Sequence, residues 1–384
     1  MSEATSDTGR TVADAEGPST NPAMPLWPRW RFGSTSMAPG PFKVGITLVV
    51  LAVLLWIPQY YGETDVNRFT QIMALAIAAA GLNLLTGFNG QISVGHGAFF
   101  AVGAYTSLLL VIEQGWSFAA AATAGAVASF VLGLIVGLPA LRIKGLYLAV
   151  ATLALAVLTP QVIIRFSDLT GGTQGRGVSR QQTPGAYEFN RPPDSLDLAP
   201  DQYRYYVTLV VAVVAFLLVR NLVRSRVGRA LIATRDNETA AEVVGVPLAR
   251  YKVLTFGISA MLAGIGGAMA SFESGRVAAG SFTIVLSITI LVAVVVGGAS
   301  TLVGPAIGAF FVIMLPEWLP SDVPEAAPVL FGLSLILLMR VAPGGIVGAL
   351  RRAWSQISRR VNPPPGAPDD PAAPTAEPAP ATPG

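Results

Sequence analysis

Apolar residues fall in long blocks along this chain, and short charged stretches separate the blocks. The charge-free runs are 44–62, 69–112, 114–141, 145–164, 205–219, 253–272, 277–316 and 326–339. A helix needs about 20 mostly apolar residues to cross the hydrocarbon core of a bilayer, where ionised groups are costly. The runs of 44 and 40 residues therefore hold two crossings each, and the eight runs predict ten transmembrane helices. Arg204, Arg220 and Arg340 lengthen the two short runs by snorkelling.

Composition supports this reading. Hydrophobic residues make up 52% and charged residues 12%, against about 25% charged in soluble globular domains. The expected fold class is an all-α integral membrane protein. A net charge of +3 lends little support to nucleic-acid binding. With no cysteine and one histidine, disulfides, thiolate metal sites, a cysteine nucleophile and a histidine metal cluster are excluded.

Basic residues orient the crossings, because Lys and Arg accumulate beside the cytoplasmic ends of spans. Arg29, Arg31 and Lys43 precede the first run, near Trp27 and Trp30 as interfacial anchors, so the N-terminus is expected inside. Ten crossings return the C-terminus to the inside and put 18 of the 25 basic residues there. Trp56, Tyr60, Tyr61, Trp116, Tyr203, Tyr205, Tyr206 and Trp318 all fall at the expected outer boundary, as an aromatic belt does. The acidic start MSEATSDTGR is the opposite of a secretory n-region, so no cleaved signal is expected.

The expected organisation is a disordered cytoplasmic tail over 1–43, a membrane domain over 44–350 and a Pro/Ala-rich cytoplasmic tail over 351–384. Residues 165–204 form an outer loop rich in Gly, Pro, Gln and Asp, either a docking surface or a spacer. Residues 220–252 form the main cytoplasmic loop. In it, Asp236 or Asn237 caps a helix of about three turns at most, with Glu238 at its positive end and Gly245 and Pro247 stopping it. Its small residues and Val ridge suit docking into a groove on another protein. An amphipathic connector on the lipid surface fits the same pattern equally well.

The spans carry no Asp, Glu, Lys or Arg at mid-depth, which removes support for a proton relay. None of Lys43, Lys144 and Lys252 follows a glycine, so there is no phosphate-binding G-x-x-x-x-G-K-[ST] loop. If ATP powers the protein, another chain binds it, and no cofactor is expected on this one. The distinctive polar segment is GLNLLTGFNGQISVGHGAFFAVGAY, Gly81 to Tyr105. Asn83, Thr86, Asn89, Gln91, Ser93 and His96 lie there among glycines that break a helix at membrane depth. Such backbone is tolerated inside protein or beside a water-filled cavity. Close packing through small residues is the alternative for each position taken singly. As a cluster, Asn83, Asn89, Gln91, Ser93 and His96 are the candidate substrate path, with His96 expected as a hydrogen-bonded structural residue. A second glycine-rich stretch, VVVGGASTLVGPAIGAFF from Val294, shares Gly-Ala-Phe-Phe with the first, at 97–100 and 308–311. That is compatible with a duplication.

These stretches, with TGGTQG from Thr170, SRVGRALIATRDNETAAEVVGVPLARYK from Ser225 and RVAPGGIVG from Arg340, resemble the permease subunits of branched-chain amino-acid ABC transporters. The likeness is to the M-type member of the permease pair and spans about residues 44–350. It implies a bacterial inner-membrane importer with a second homologous permease chain, two cytoplasmic ATPases and a periplasmic or lipid-anchored binding protein. It also implies that the central loop is the coupling loop, with Arg235, Asp236, Glu238, Ala240, Ala241, Glu242, Gly245 and Pro247 at the ATPase. Ala240, Ala241 and Gly245 fit the importer pattern E-A-A, three residues, then G. Thr239 replaces the Glu, which stands one place earlier as Glu238, and no I-x-L-P follows. Leucine, isoleucine and valine are the expected substrates; urea or short amides are the nearest alternative. A stand-alone channel is the reading of a different class, and it gives no reason for a capped cytoplasmic helix.

Overall fold

A computed structural model describes residues 40–143, 145–178, 192, 197–318, 332–333, 336, 340, 342, 344–350 and 352. Most of the expected tails, residues 179–191 and 193–196 of the 165–204 loop, and most of the 326–339 run lie outside these residues. Contacts divide the chain into two units, 1–56 and 57–384. The described part of the first is helical and belongs to α1 (Gly40–Tyr60).

In the second unit the elements are α2 (Glu63–Leu82), a π turn (Asn83–Phe88), α3 (His96–Gln114), α4 (Phe118–Gly137) and α5 (Leu146–Arg165). Then come α6 (Pro200–Arg224), α7 (Arg226–Asp236), α8 (Glu238–Val243), α9 (Leu248–Ser274), α10 (Ile284–Gly297) and α11 (Gly304–Trp318). Six helices among the described residues are long and apolar enough to cross a membrane, and three shorter apolar helices accompany them. Among the described residues, nine of the ten expected crossings overlap one of these helices. The 15-residue run 205–219 lies within the 25-residue α6, which takes in Arg204 and Arg220.

The centre of this unit is α9, which packs against α2, α3 and α4. Small residues make that possible. A Cβ added at Gly103 of α3 would lie 2.1 Å from the Gly264 carbonyl oxygen, and one at Gly267 would lie 1.9 Å from that of Phe100. Between lipid-solvated helices this close packing, not removal from water, provides the attraction. Ser129 of α4 adds a hydrogen bond to the Phe99 carbonyl at 3.0 Å, and Phe99 meets Phe256 edge-on at 5.9 Å. Burial separates inner from outer helices: 83% of the α2 span is buried, against 28% in α4, α5 and α6. The outer three leave broad apolar faces for lipid or another chain.

One departure from all-α structure is a two-residue antiparallel ribbon. β1 (Arg176–Gly177) pairs with β2 (Arg276–Val277), with Arg176 opposite Val277 and Gly177 opposite Arg276. It ties the beginning of the long loop to the chain just beyond α9.

Candidate functional site

The helix entering the polar segment loosens before it stops. After Leu82 it widens into the π turn Asn83–Phe88, and irregular backbone follows until α3 starts at His96. Gly90 takes φ +76°, a left-handed conformation that favours glycine, and a Cβ there would lie 2.8 Å from Arg235 Cγ. Polar groups freed by the break are bonded within the protein. Thr86 donates to the Gln91 carbonyl at 3.0 Å, Asn89 Nδ2 to Gln91 Oε1 at 3.0 Å, and Val94 N–H to Thr152 Oγ1 at 3.0 Å. Asn89 Oδ1 is buried and has no hydrogen-bond partner among the described residues.

His96 is fully buried at the start of α3. Its Nε2 lies 2.6 Å from Ser259 Oγ and its Nδ1 3.1 Å from Ser93 Oγ. Ser259 gives its own proton to the Gly81 carbonyl at 2.6 Å, so it accepts from His96 Nε2–H. In the neutral ring Nδ1 is then the acceptor from Ser93. With Gly97 N–H donating to Ser287 Oγ at 2.9 Å, this chain of bonds joins α2, α3, α9 and α10 around the break.

The second glycine-rich stretch is a second break, and the two meet. α10 ends at Gly297, Gly298 takes φ +110°, and Ser300, a non-glycine residue, takes φ +63°. That conformation costs an L-residue roughly 1–2 kcal/mol, and three contacts hold it. Ser300 N–H donates to Asn83 Oδ1 at 2.9 Å, Asn83 Nδ2 donates to the Thr301 carbonyl at 2.7 Å, and Ser300 Oγ donates to the Gly87 carbonyl at 2.6 Å. Thr301 Oγ1 accepts from Gly304 N–H at 3.1 Å and so caps α11.

The segment 220–252 reaches the same point. Ser225 caps α7 by accepting from Val227 N–H at 3.1 Å. Leu231 on its apolar face is fully buried against Leu84 and Phe88 of the π turn. In the last turn, Arg235 Nη1 donates to the Gly87 carbonyl and to Ser300 Oγ, each at 3.0 Å. Its Nε and Nη2 hold Asp236 Oδ1 at 2.9 and 2.8 Å. One guanidinium thus touches both breaks and carries its own counter-ion.

Asn237, one of the two expected caps, accepts from Ala240 N–H at 3.0 Å and starts α8. The other, Asp236, neutralises Arg235 instead. α8 is six residues long, well short of three turns, and ends before Gly245 at φ +85°. Lys252 binds Glu238 at 2.6 Å and fastens α8 to α9, which begins after Pro247. Ala241 faces inward, while Val243 and Val244 are 82% and 77% exposed. Beside them an open cleft of about 600 Å³ is lined by Glu238, Glu242, Gly245, Pro247, Arg250 and Leu141.

The five candidate path residues thus come together at one break, and Arg235 alone of the loop candidates touches it. Gly87, Ser300, Ser259, Ser287 and Thr152 complete the junction but were not singled out from the sequence as functional residues. A serine or threonine inside an apolar run was the available signal, shared with many hydroxyls that only bond back to their own helix.

Both breaks and the whole of α7 and α8 lie within residues 66–339, which match the family described as branched-chain amino acid transport system / permease component. The chain belongs to that family. It is therefore a multi-pass membrane permease and not an enzyme. Among curated relatives it is similar to the Escherichia coli high-affinity branched-chain amino acid transport system permease protein LivM, at 29% identity over 80% of this chain and 75% of the relative. A probable LivM of Methanocaldococcus jannaschii is 22% identical over 78% of this chain and 93% of the relative. The E. coli permease LivH is 24% identical over 75% of this chain and 96% of the relative. No solved structure matches.

Proposed function

We propose that this permease is the M-type membrane subunit of an ATP-driven importer that brings leucine, isoleucine and valine across a bacterial inner membrane. It crosses ten times with both termini inside, and it pairs with a second, homologous permease chain. Two separate ATPase chains dock on α7 and α8, and a binding protein delivers substrate at the other face. The observation that carries this reading is Arg235, which links the exposed α7–α8 segment to both helix breaks through Gly87 and Ser300.

Alternating access follows from that link. ATP-driven closure of the ATPases moves α8, with Val243 and Val244 as the exposed apolar knob and Glu238 and Glu242 beside the cleft. Arg235, Asp236, Ala240, Ala241, Gly245 and Pro247 belong to the same moving part. Asn83, Asn89, Gln91, Ser93 and His96 are assigned to the inner portion of the path, which the Asn89–Gln91 and Ser93–His96 bonds and those of Asn83 with Ser300 and Thr301 close in this conformation. The motion exchanges those bonds for contacts with a passing zwitterion. ATP touches none of these residues; it favours one state of the assembly over the other.

The test is uptake of radiolabelled leucine and of urea in vesicles containing both permeases, the ATPases and the binding protein, each omitted in turn. Leucine uptake that needs every component and ATP supports the proposal. Urea uptake in its place would change the substrate, and downhill flux through this chain alone would replace the importer with a channel.

A further inference from the structure

At the end of α9 remote from α8 lies a cavity of about 350 Å³, toward the lower end of the roughly 300–1,000 Å³ usual for small-molecule sites. One wall is apolar, with Phe100, Phe282 and Leu286; another carries Gln71, Glu273 and Arg276. Glu273 and Arg276 flank Gly275, the left-handed residue that ends α9, and no ion pair joins them. Among the described residues the Glu273 carboxylate accepts one hydrogen bond, from Gln71 Nε2 at a long 3.4 Å. The Arg276 guanidinium has no hydrogen bond or ion pair there.

Two opposite charges thus line one small cavity beside an apolar wall, Glu273 partly buried and Arg276 exposed, and neither pairs with the other. The ligand that answers both is a zwitterion. A carboxylic acid or an amine leaves one charge unmatched; urea leaves both unmatched and the apolar wall uncovered. The wall in turn selects an apolar side chain. We propose that this cavity is the outer receiving site for an α-amino acid with a branched apolar side chain. Its ammonium binds Glu273, its carboxylate binds Arg276, and its side chain packs on Phe100, Phe282 and Leu286.

The inference rests on the proposed topology and substrate class, which put this end of the 27-residue, about 40 Å long α9 on the outer face. The rim fits delivery from that side, since Arg276 lies in β2 opposite Gly177 of the long loop.

The chain has no cysteine, so one introduced thiol reports on the cavity. Ser281 lines it and is exposed. In the full assembly without binding protein, S281C should react with a membrane-impermeant maleimide from outside. L-Leucine should slow the reaction, while L-leucinamide, 4-methylpentanoate and urea should not. E273Q and R276Q should each raise the leucine concentration needed for protection at least about tenfold, the loss of one charge-assisted contact. Two independent variants guard against one that fails to fold. Reaction only from inside, no protection by leucine, or equal protection by urea would overturn the site. Parallel leucine uptake by the assembly carrying the unaltered chain separates the two ideas: uptake without protection sinks this cavity alone, and absent uptake sinks the functional reading.

Discussion

At the end of the bundle that carries Arg235, polar groups close on one another. Asn83, Gly87, Ser300 and Arg235 form a junction in which each donates or accepts at 3.0 Å or less. At the end that carries Glu273 and Arg276, the charged groups share a cavity without pairing. Both ends contain polar residues in an apolar setting, yet they behave differently. A satisfied network is stiff and passes displacement from one element to the next. Two charges that do not pair with each other keep bonding capacity for a ligand. The same chain therefore builds a mechanical linkage at one face and a receptor at the other, with α9 running between them.

The strongest way to break this comparison is to remove the linkage. Deletion of residues 236–247 should abolish ATP-driven uptake while the protein still inserts, as judged by its amount in the membrane fraction. Next in size, Arg235→Ala removes charge-assisted hydrogen bonds that contribute about 1.5–3 kcal/mol each. Uptake should fall about 10- to 100-fold while ATP hydrolysis by the assembly continues. Arg235→Lys should restore only part, since an ammonium cannot hold Gly87, Ser300 and Asp236 in one planar fork.

Asn83→Ala leaves the Ser300 N–H and the Thr301 carbonyl without their partner. That should cost about 1–3 kcal/mol, seen as a lower melting temperature in detergent with uptake reduced in step. Smallest of these, Gly90→Ala places a methyl near Arg235 Cγ in a left-handed backbone, at roughly 1–2 kcal/mol. Uptake should drop severalfold, and in combination with Arg235→Ala the contact with Cγ is relieved while the backbone cost remains.

Much of the architecture was legible because the bilayer imposes a length on each crossing. Among the described residues, nine of the ten expected crossings overlap a helix, six of them long and apolar enough to span a membrane, and both double runs divide at their glycine-rich stretches, one after Phe88 and the other after Gly297. Helix signals also worked locally, as with Asn237 and Gly245 around α8. What the sequence withheld was contact between distant segments. Gly87, Arg235 and Ser300 are far apart in the chain, and no periodicity announces that they meet. The polar cluster read as a path is hydrogen-bonded within the protein in this conformation, since composition shows that a helix breaks there but not what the freed groups bond to. Glu273 lies just past the charge-free run 253–272, where nothing in the sequence sets it apart. Its importance comes from Arg276 and an aromatic wall that folding brings beside it.

The central claim is that the two ends are coupled through Arg235, and the S281C thiol can test it directly. Maleimide labelling from outside would be timed in the resting assembly and in one trapped with ATP and vanadate, with Arg235 intact and with Arg235→Ala. Trapping should change the labelling rate severalfold when Arg235 is present and leave it nearly unchanged when it is absent. An equal change in both proteins would show that displacement reaches the outer cavity by another route, and no change in either would contradict coupling between the two ends.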